Sequence, residues 1–279
     1  DANGPVNAAV RVSDTFARIY RIGIQQHALL REVLLEVYMR AGILHERSRT
    51  WQFSAPSLSD VYSLISQFAE DKEYPAWRIA QSLRSHISSF FIFDTFRRSG
   101  EDLSWEIMFR GQPQCYILQL HGLEDKSEKA VTEFLLWDLY NYLRSAGPQG
   151  LRLFCVLDEA HKLSFAENSP IDKLLREARK FGVGLVLASQ QPEDFSDVAH
   201  SNTATKLIFH TTDRRAILTK PIAQRYPELG KPEQIASMVS RLKRGQALFL
   251  HRTGGQIVNI TRFEDRPHVR HNLSQQMHP

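Results

Sequence analysis

Two short apolar runs, one helix apart, constrain this chain more than any other feature. Leu151-Arg-Leu-Phe-Cys-Val-Leu stops abruptly at Asp158 and Glu159, and Phe181-Gly-Val-Gly-Leu-Val-Leu-Ala stops at Ser189, Gln190 and Gln191. Both are too short to span a bilayer and rich in Val and Leu, the pattern of strands buried on both faces of a parallel sheet. In open α/β sheets ligands bind outside the carboxyl ends of the strands. Asp158, Glu159, Ser189 and Gln190 are therefore expected at one crevice.

The remaining chain divides around these runs. Residues 1–13 read as a lead-in loop, with Ser13 or Asp14 placed to cap the first helix. Apolar residues at helical spacing predict two helices between Asp14 and Ala41, stopped by Gly42, then one opening at Ser57 and another over 75–88. The aromatic segment Phe90–Phe96 reads as core rather than as a nucleic-acid stacking surface. Near Gly111 the pattern changes to strands alternating with helices: strands over 114–122, 151–158, 183–189 and 206–211, helices over 127–145, 170–180 and 232–242. Two last strands, 246–251 and 256–262, flank Thr253-Gly-Gly, a hairpin signal. The expectation is a lead-in (1–13), a helical lobe (14–109), an α/β core (110–264) with a mostly parallel, doubly wound sheet and an antiparallel C-terminal hairpin, and a polar tail (265–279).

Composition sets outer limits. With 35 Lys and Arg against 31 Asp and Glu, the net charge of +4 permits a nucleic-acid partner without arguing for one. No stretch of about 18 apolar residues and no signal peptide occurs, so neither a membrane partner nor secretion is expected, and the cytoplasm is. Cys115 and Cys155 each lie inside an apolar run and are expected to be buried free thiols. The chain opens at Asp1 without an initiator Met and reads as a piece of something longer.

Two adjacent acids after a hydrophobic strand form the context of a Walker B element. The first carboxylate holds magnesium, which keeps several of its waters and takes few protein ligands, and the second polarises the attacking water. A plain strand end with two solvated acids is the alternative. Gln190, an amide on the next strand end, tips the balance, because it can touch both a γ-phosphate and the water; Ser189 and Gln191 are weaker candidates. Arg176, Arg179 and Lys180 lie between the two runs, either as a solvated helix face or as groups that reach a neighbouring subunit's nucleotide. His161 completes Asp-Glu-Ala-His, a box shared with one superfamily of RNA helicases, but nothing after residue 200 resembles their second-domain arginine motif. His268, His271 and His278 are too irregularly spaced to suggest zinc. No Gly-x-x-x-x-Gly-Lys-Ser/Thr occurs anywhere, so the loop that would cradle phosphates is missing.

Phe154-Cys-Val-Leu-Asp-Glu-Ala-His-Lys-Leu, Arg176-Glu-Ala-Arg-Lys-Phe-Gly-Val-Gly-Leu-Val-Leu-Ala-Ser-Gln-Gln-Pro and Asn202-Thr-Ala-Thr-Lys together resemble the HerA branch of the HerA/FtsK ATPases. The resemblance covers roughly residues 110–263, and 14–90 more loosely as an inserted helical lobe. It implies a RecA-like P-loop NTPase sheet, ATP and Mg2+ as cofactors, sequence-nonspecific DNA as partner and a homo-oligomeric, hexameric ring. By position it implies Asp158 as the magnesium-side acid, Glu159 as catalytic base and Gln190 as sensor. Ser189, Arg176, Arg179, Lys180 and Arg214 are implied near nucleotide, with Arg179 and Lys180 the residues to reach across subunits. The departure is the Walker A strand, which in this family lies mid-sheet; it is expected to come from an upstream segment, and this chain alone is expected to be inactive.

Two function classes are open. One is the C-terminal portion of an ATP-driven DNA translocase or helicase, acting in DNA repair or phage defence with a nuclease or other effector. The other is a non-catalytic oligomerisation or docking scaffold, with an RNA-helicase fragment a distant third. A scaffold has no physical need for two acids and an amide at one crevice; the missing phosphate loop argues the other way.

Overall fold

A computed structural model describes residues 4–92, 104–110, 114–120, 122–212 and 220–261. The fold is α/β with a parallel strand pair and a high helical content, and its contacts divide it into two compact units. The first comprises residues 1–156 and 162–186, the second 157–161 and 187–279.

In the first unit, α1 (Gly4–Tyr20), α2 (Ile24–Arg40), α3 (Leu58–Glu70), α4 (Trp77–Ile92) and α6 (Asp125–Ala146) share one apolar core. A short α5 (Trp105–Arg110) precedes α6. The expected lead-in loop is, from Gly4 on, the first half of α1, with Ala8, Ala9 and Ser13 buried. Ser13 does not cap a helix; it lies within one, and its hydroxyl donates to the Val10 carbonyl at 3.0 Å. Helical spacing does continue upstream through Val6, Ala9 and Val10, but Gly4 and Pro5 mask it as a turn. Ser57 caps α3 as its sequence suggests, through a reciprocal pair with Asp60. Phe16, Phe90, Phe91 and Phe134 stack and tilt against one another at the centre of this core, so Phe90 and Phe91 of the aromatic segment are interior, whereas Ile92 is exposed; Phe93 and Phe96 lie outside the described residues.

Residues 114–120 correct the expected first strand. They form no ladder, and Tyr116, Ile117 and Leu118 are exposed. A strand exists only by pairing its backbone groups, and none of the described residues offers 114–120 a partner. Cys115, expected to be buried, is exposed for the same reason, whereas Cys155 is half-buried and its thiol is pushed up to about 11 by desolvation.

β1 (Leu153–Leu157) and β2 (Val183–Leu187) form the parallel pair, bonded from Arg152 N–H to the Gly182 carbonyl at one end to Ala188 N–H and the Leu157 carbonyl at the other. Between them runs α7 (Pro170–Glu177), capped by Ser169 with Pro170 in its first turn. Gly182 fixes the register: it sits at φ 75°, and a Cβ there would lie 1.9 Å from the Gly150 carbonyl oxygen. Phe154 and Val156 alternate with half-buried neighbours and are 62% and 64% exposed, so one face of β1 is left uncovered by the described residues.

In the second unit, α8 (Asp197–Asn202) leads to β3 (Lys206–Ile208), which pairs antiparallel with β4 (Gln246–His251), itself paired with β5 (Gly254–Asn259). The expected hairpin is present, but its two-residue turn is Arg252-Thr253; Gly254 and Gly255 already belong to β5. α9 (Lys220–Arg225) and α10 (Pro232–Ser240) complete this unit, whose core joins Ile235, Val239 and Leu242 to Leu248 and Leu250. The histidines of the 265–279 tail lie outside the described residues, as does Arg214.

Candidate functional site

Beyond their last paired residues, β1 and β2 stay tied together. Ala188 N–H donates to the Leu157 carbonyl at 3.0 Å, and Ala160 N–H donates to the Ala188 carbonyl at 2.8 Å. These two bonds bracket Asp158 and Glu159 on one strand end and abut Ser189 and Gln190 on the other, all within the second unit. The four sequence-predicted residues therefore stand on adjoining strand ends.

Each is held differently. Glu159 has φ 53°, the left-handed region that a non-glycine residue enters at a cost. Asp158 Oδ1 accepts the Glu159 N–H at 2.9 Å, which offsets part of that cost. His161 Nδ1 stands 3.2 Å from Glu159 Oε2, so the histidine of the Asp-Glu-Ala-His box braces the second acid. Ala160, between them, is fully buried and anchors the turn. Across the gap, the Ser189 hydroxyl donates to Asp194 Oδ2, which also accepts the Gln191 N–H at 3.3 Å. Ser189 thus shapes the loop that presents Gln190, and Gln190 itself is exposed.

Lys206 and Arg225 carry no signal in the sequence. The Lys206 ammonium donates to the Thr203 carbonyl at 3.0 Å, and Arg225 reaches the His200 and Ser201 carbonyls at the end of α8. Burial first, then the positive charge of Arg225, pushes Lys206 down to about 8. No local pattern marks the pair, since the residues are brought together by folding.

The basic residues between the runs separate. Arg176 is tied to the buried carboxylate of Asp172, Nε to Oδ1 at 2.9 Å, four residues back on α7. Arg179 is exposed, and no ion pair holds it among the described residues. Lys180 lines a separate cavity of the first unit with Arg11, Arg144 and Lys173.

Asp158 is an exposed carboxylate with one oxygen engaged by a backbone N–H, a donor set that suits a hard cation needing few protein ligands. No group of three or more His, Cys, Asp and Glu that could cage a metal occurs among the described residues. The polyphosphate of ATP finds no matching Gly-rich cradle in the 279 residues. No helix of the described residues is long and apolar enough to cross a membrane.

No family model matches the sequence. The chain is 29% identical over 149 residues to the DNA double-strand break repair helicase HerA of Saccharolobus solfataricus, covering 49% of this chain and 28% of that protein. It is 31% identical over 144 residues to the protein named Probable helicase MJECL08 of Methanocaldococcus jannaschii, covering 43% and 27% respectively. The matches thus span little more than a quarter of either relative. VirB4 of Thermoanaerobacter pseudethanolicus superposes with a TM-score of 0.66 at 20% identity, over 96% of this chain and 71% of that one. The plasmid coupling protein TrwB, in complex with ADP and Mg2+, superposes with a TM-score of 0.56 at 13% identity, over 94% and 70%. At these identities the two structures speak for the fold alone.

Proposed function

We propose that the chain is of the HerA/FtsK ATPase type and is the C-terminal portion of an ATP-driven DNA translocase or helicase. The observation that carries the reading is the pair of bonds from Ala188 to Leu157 and from Ala160 to Ala188, which sets an acid pair beside an amide at adjoining strand ends. Asp158 takes the magnesium side, where the ion supplies charge neutralisation on the phosphates. Glu159, braced by His161, accepts the proton of the attacking water, and Gln190 orients that water against the terminal phosphate. Arg179 reaches a neighbouring subunit's nucleotide in a homo-oligomeric ring, a hexamer, with Arg214 behind it. Arg176 is a less suitable donor in trans because Asp172 already engages it.

The phosphate cradle comes from an upstream segment whose strand enters the sheet. Residues 114–120, which have no strand partner among the described residues, and the exposed side chains of Phe154 and Val156 support that addition. DNA is gripped through its phosphates, so binding falls with salt and ignores sequence; the 194–202 segment, most of which is α8, is the candidate grip. A nuclease or other effector in DNA repair or phage defence fits as partner, in the cytoplasm. The competing scaffold reading rests on the missing phosphate loop alone.

The test is DNA-stimulated ATP hydrolysis by the longest natural form, beside its Glu159→Gln variant and this chain alone. The long form is expected to hydrolyse ATP, Glu159→Gln to lose about 100-fold or more, and the chain alone to be inactive. A long form that is silent with DNA and magnesium present sinks the motor and leaves the scaffold.

A further inference from the structure

We propose that the cavity where α1, α6 and α7 converge is a binding site for a phosphate-bearing anion of di- or triphosphate size, built from none of the strand-end residues. The cavity measures about 600 Å³, within the range of small-molecule pockets. Four cations line it: Arg11 from α1, Arg144 from α6, Lys173 from α7 and Lys180 from the turn that follows α7.

Basic residues along one exposed helix are ordinarily a solvated face. Here they come from three elements and meet in a concavity. Aromatic rings seat three of the heads: Arg11 lies 5.7 Å from the centre of Trp137, Arg144 5.8 Å from Tyr140, and Lys180 5.5 Å from Phe181. Among the described lining residues the one acid is Glu177, whose negative charge, after burial, helps to raise the Tyr140 hydroxyl. Among the described residues no ion pair holds Arg144, Lys173 or Lys180.

The folded chain therefore gathers like charges at a cost. Burial lowers Arg11, and the positive charge of Arg144 lowers it further against the opposing influence of Tyr38. Two neutral donors join them: the Trp137 indole N–H, buried with no hydrogen-bond partner among the described residues, and the Asn141 amide. Guanidinium, ammonium, indole and amide groups all donate, so the complementary ligand is rich in acceptors and carries several negative charges. Phosphate groups meet both conditions, whether from a free polyphosphate or from a nucleic-acid strand, whereas a lone carboxylate would leave most donors unmet.

The test is calorimetric titration of the full chain in EDTA at fixed ionic strength, with sodium tripolyphosphate in one arm and a short single-stranded oligonucleotide in the other. Saturable one-to-one binding of tripolyphosphate, weakened at least tenfold by the double substitution Arg144→Gln, Lys173→Gln, is the expected result. Saturable binding of the oligonucleotide alone, with the same dependence, assigns the phosphate to a strand. Lys173→Glu alone carries the same expectation should the double variant fail to fold. Absence of binding in both arms, or binding indifferent to these substitutions, overturns the site. No hydrolysis or magnesium enters the readout, so failure here is distinct from failure of the motor.

Discussion

Glu159 is a residue whose backbone is set by its position in the site rather than by its own preference. The carboxylates at the strand end are legible because an apolar run that stops at two acids is a strong local signal. The left-handed φ is not, since it depends on the two strand ends being bonded to each other. Lys206 is hidden for a related reason: nothing near it in sequence says that Arg225 will arrive beside it. Its titration makes a prediction. In the unfolded chain Lys206 titrates near its ordinary 10.5, in the folded chain near 8. Below about 8 both states carry the charge and the folded one bears its full desolvation and repulsion; between the two values the unfolded chain binds more protons, so stability rises with pH. Lys206→Met is therefore expected to raise the urea midpoint at pH 7, by a margin over the parent chain that shrinks toward pH 10.5. A margin that does not change with pH would refute the assignment.

At the scale of elements, α1 and α6 depend on one ion pair across a sequence separation that no pattern reveals. Glu133, buried on α6, receives the Arg18 guanidinium of α1 through both nitrogens Nε and Nη2. Burial nonetheless pushes the Glu133 carboxyl up, the arginine only partly countering it. Arg18→Ala strands that carboxyl in the core, and a loss of about 3 kcal/mol in chemical denaturation is expected. Replacing both residues, Arg18→Met with Glu133→Leu, should recover much of the loss; a double variant as weak as the single one would mean that the pair contributes more than charge compensation. Helices such as α3 are the most legible elements because they carry period and cap locally, whereas Gly4 and Pro5 mask the start of α1. The 114–120 segment misleads because its apolar composition says that it prefers to be a strand, while pairing needs a partner.

For the whole molecule, Phe154, Val156 and Ile117 are large apolar side chains that the described residues leave exposed. The native chain is expected to enhance the fluorescence of a hydrophobic dye, and Phe154→Ser with Ile117→Ser to reduce that enhancement at least twofold without lowering the thermal midpoint. Equal dye response in parent and variant would show that this surface is covered in solution. Of the expected mostly parallel sheet, only β1 and β2 pair in parallel among the described residues, while β3 pairs antiparallel with β4, because strand neighbours are specified by contacts distant in sequence.

The boundary between the two compact units passes through the ends of β1 and β2, so the chain crosses it three times, after residues 156, 161 and 186. Asp158 and Glu159 are an island of the second unit enclosed in the sequence of the first. Neither unit can therefore be inherited by itself: a recombination breakpoint anywhere from 157 to 187 parts the acids from Gln190 or from the strands that carry them. Over evolutionary time such a segment should pass between genes whole, diverging by substitution in its helical part while its breakpoints collect outside it.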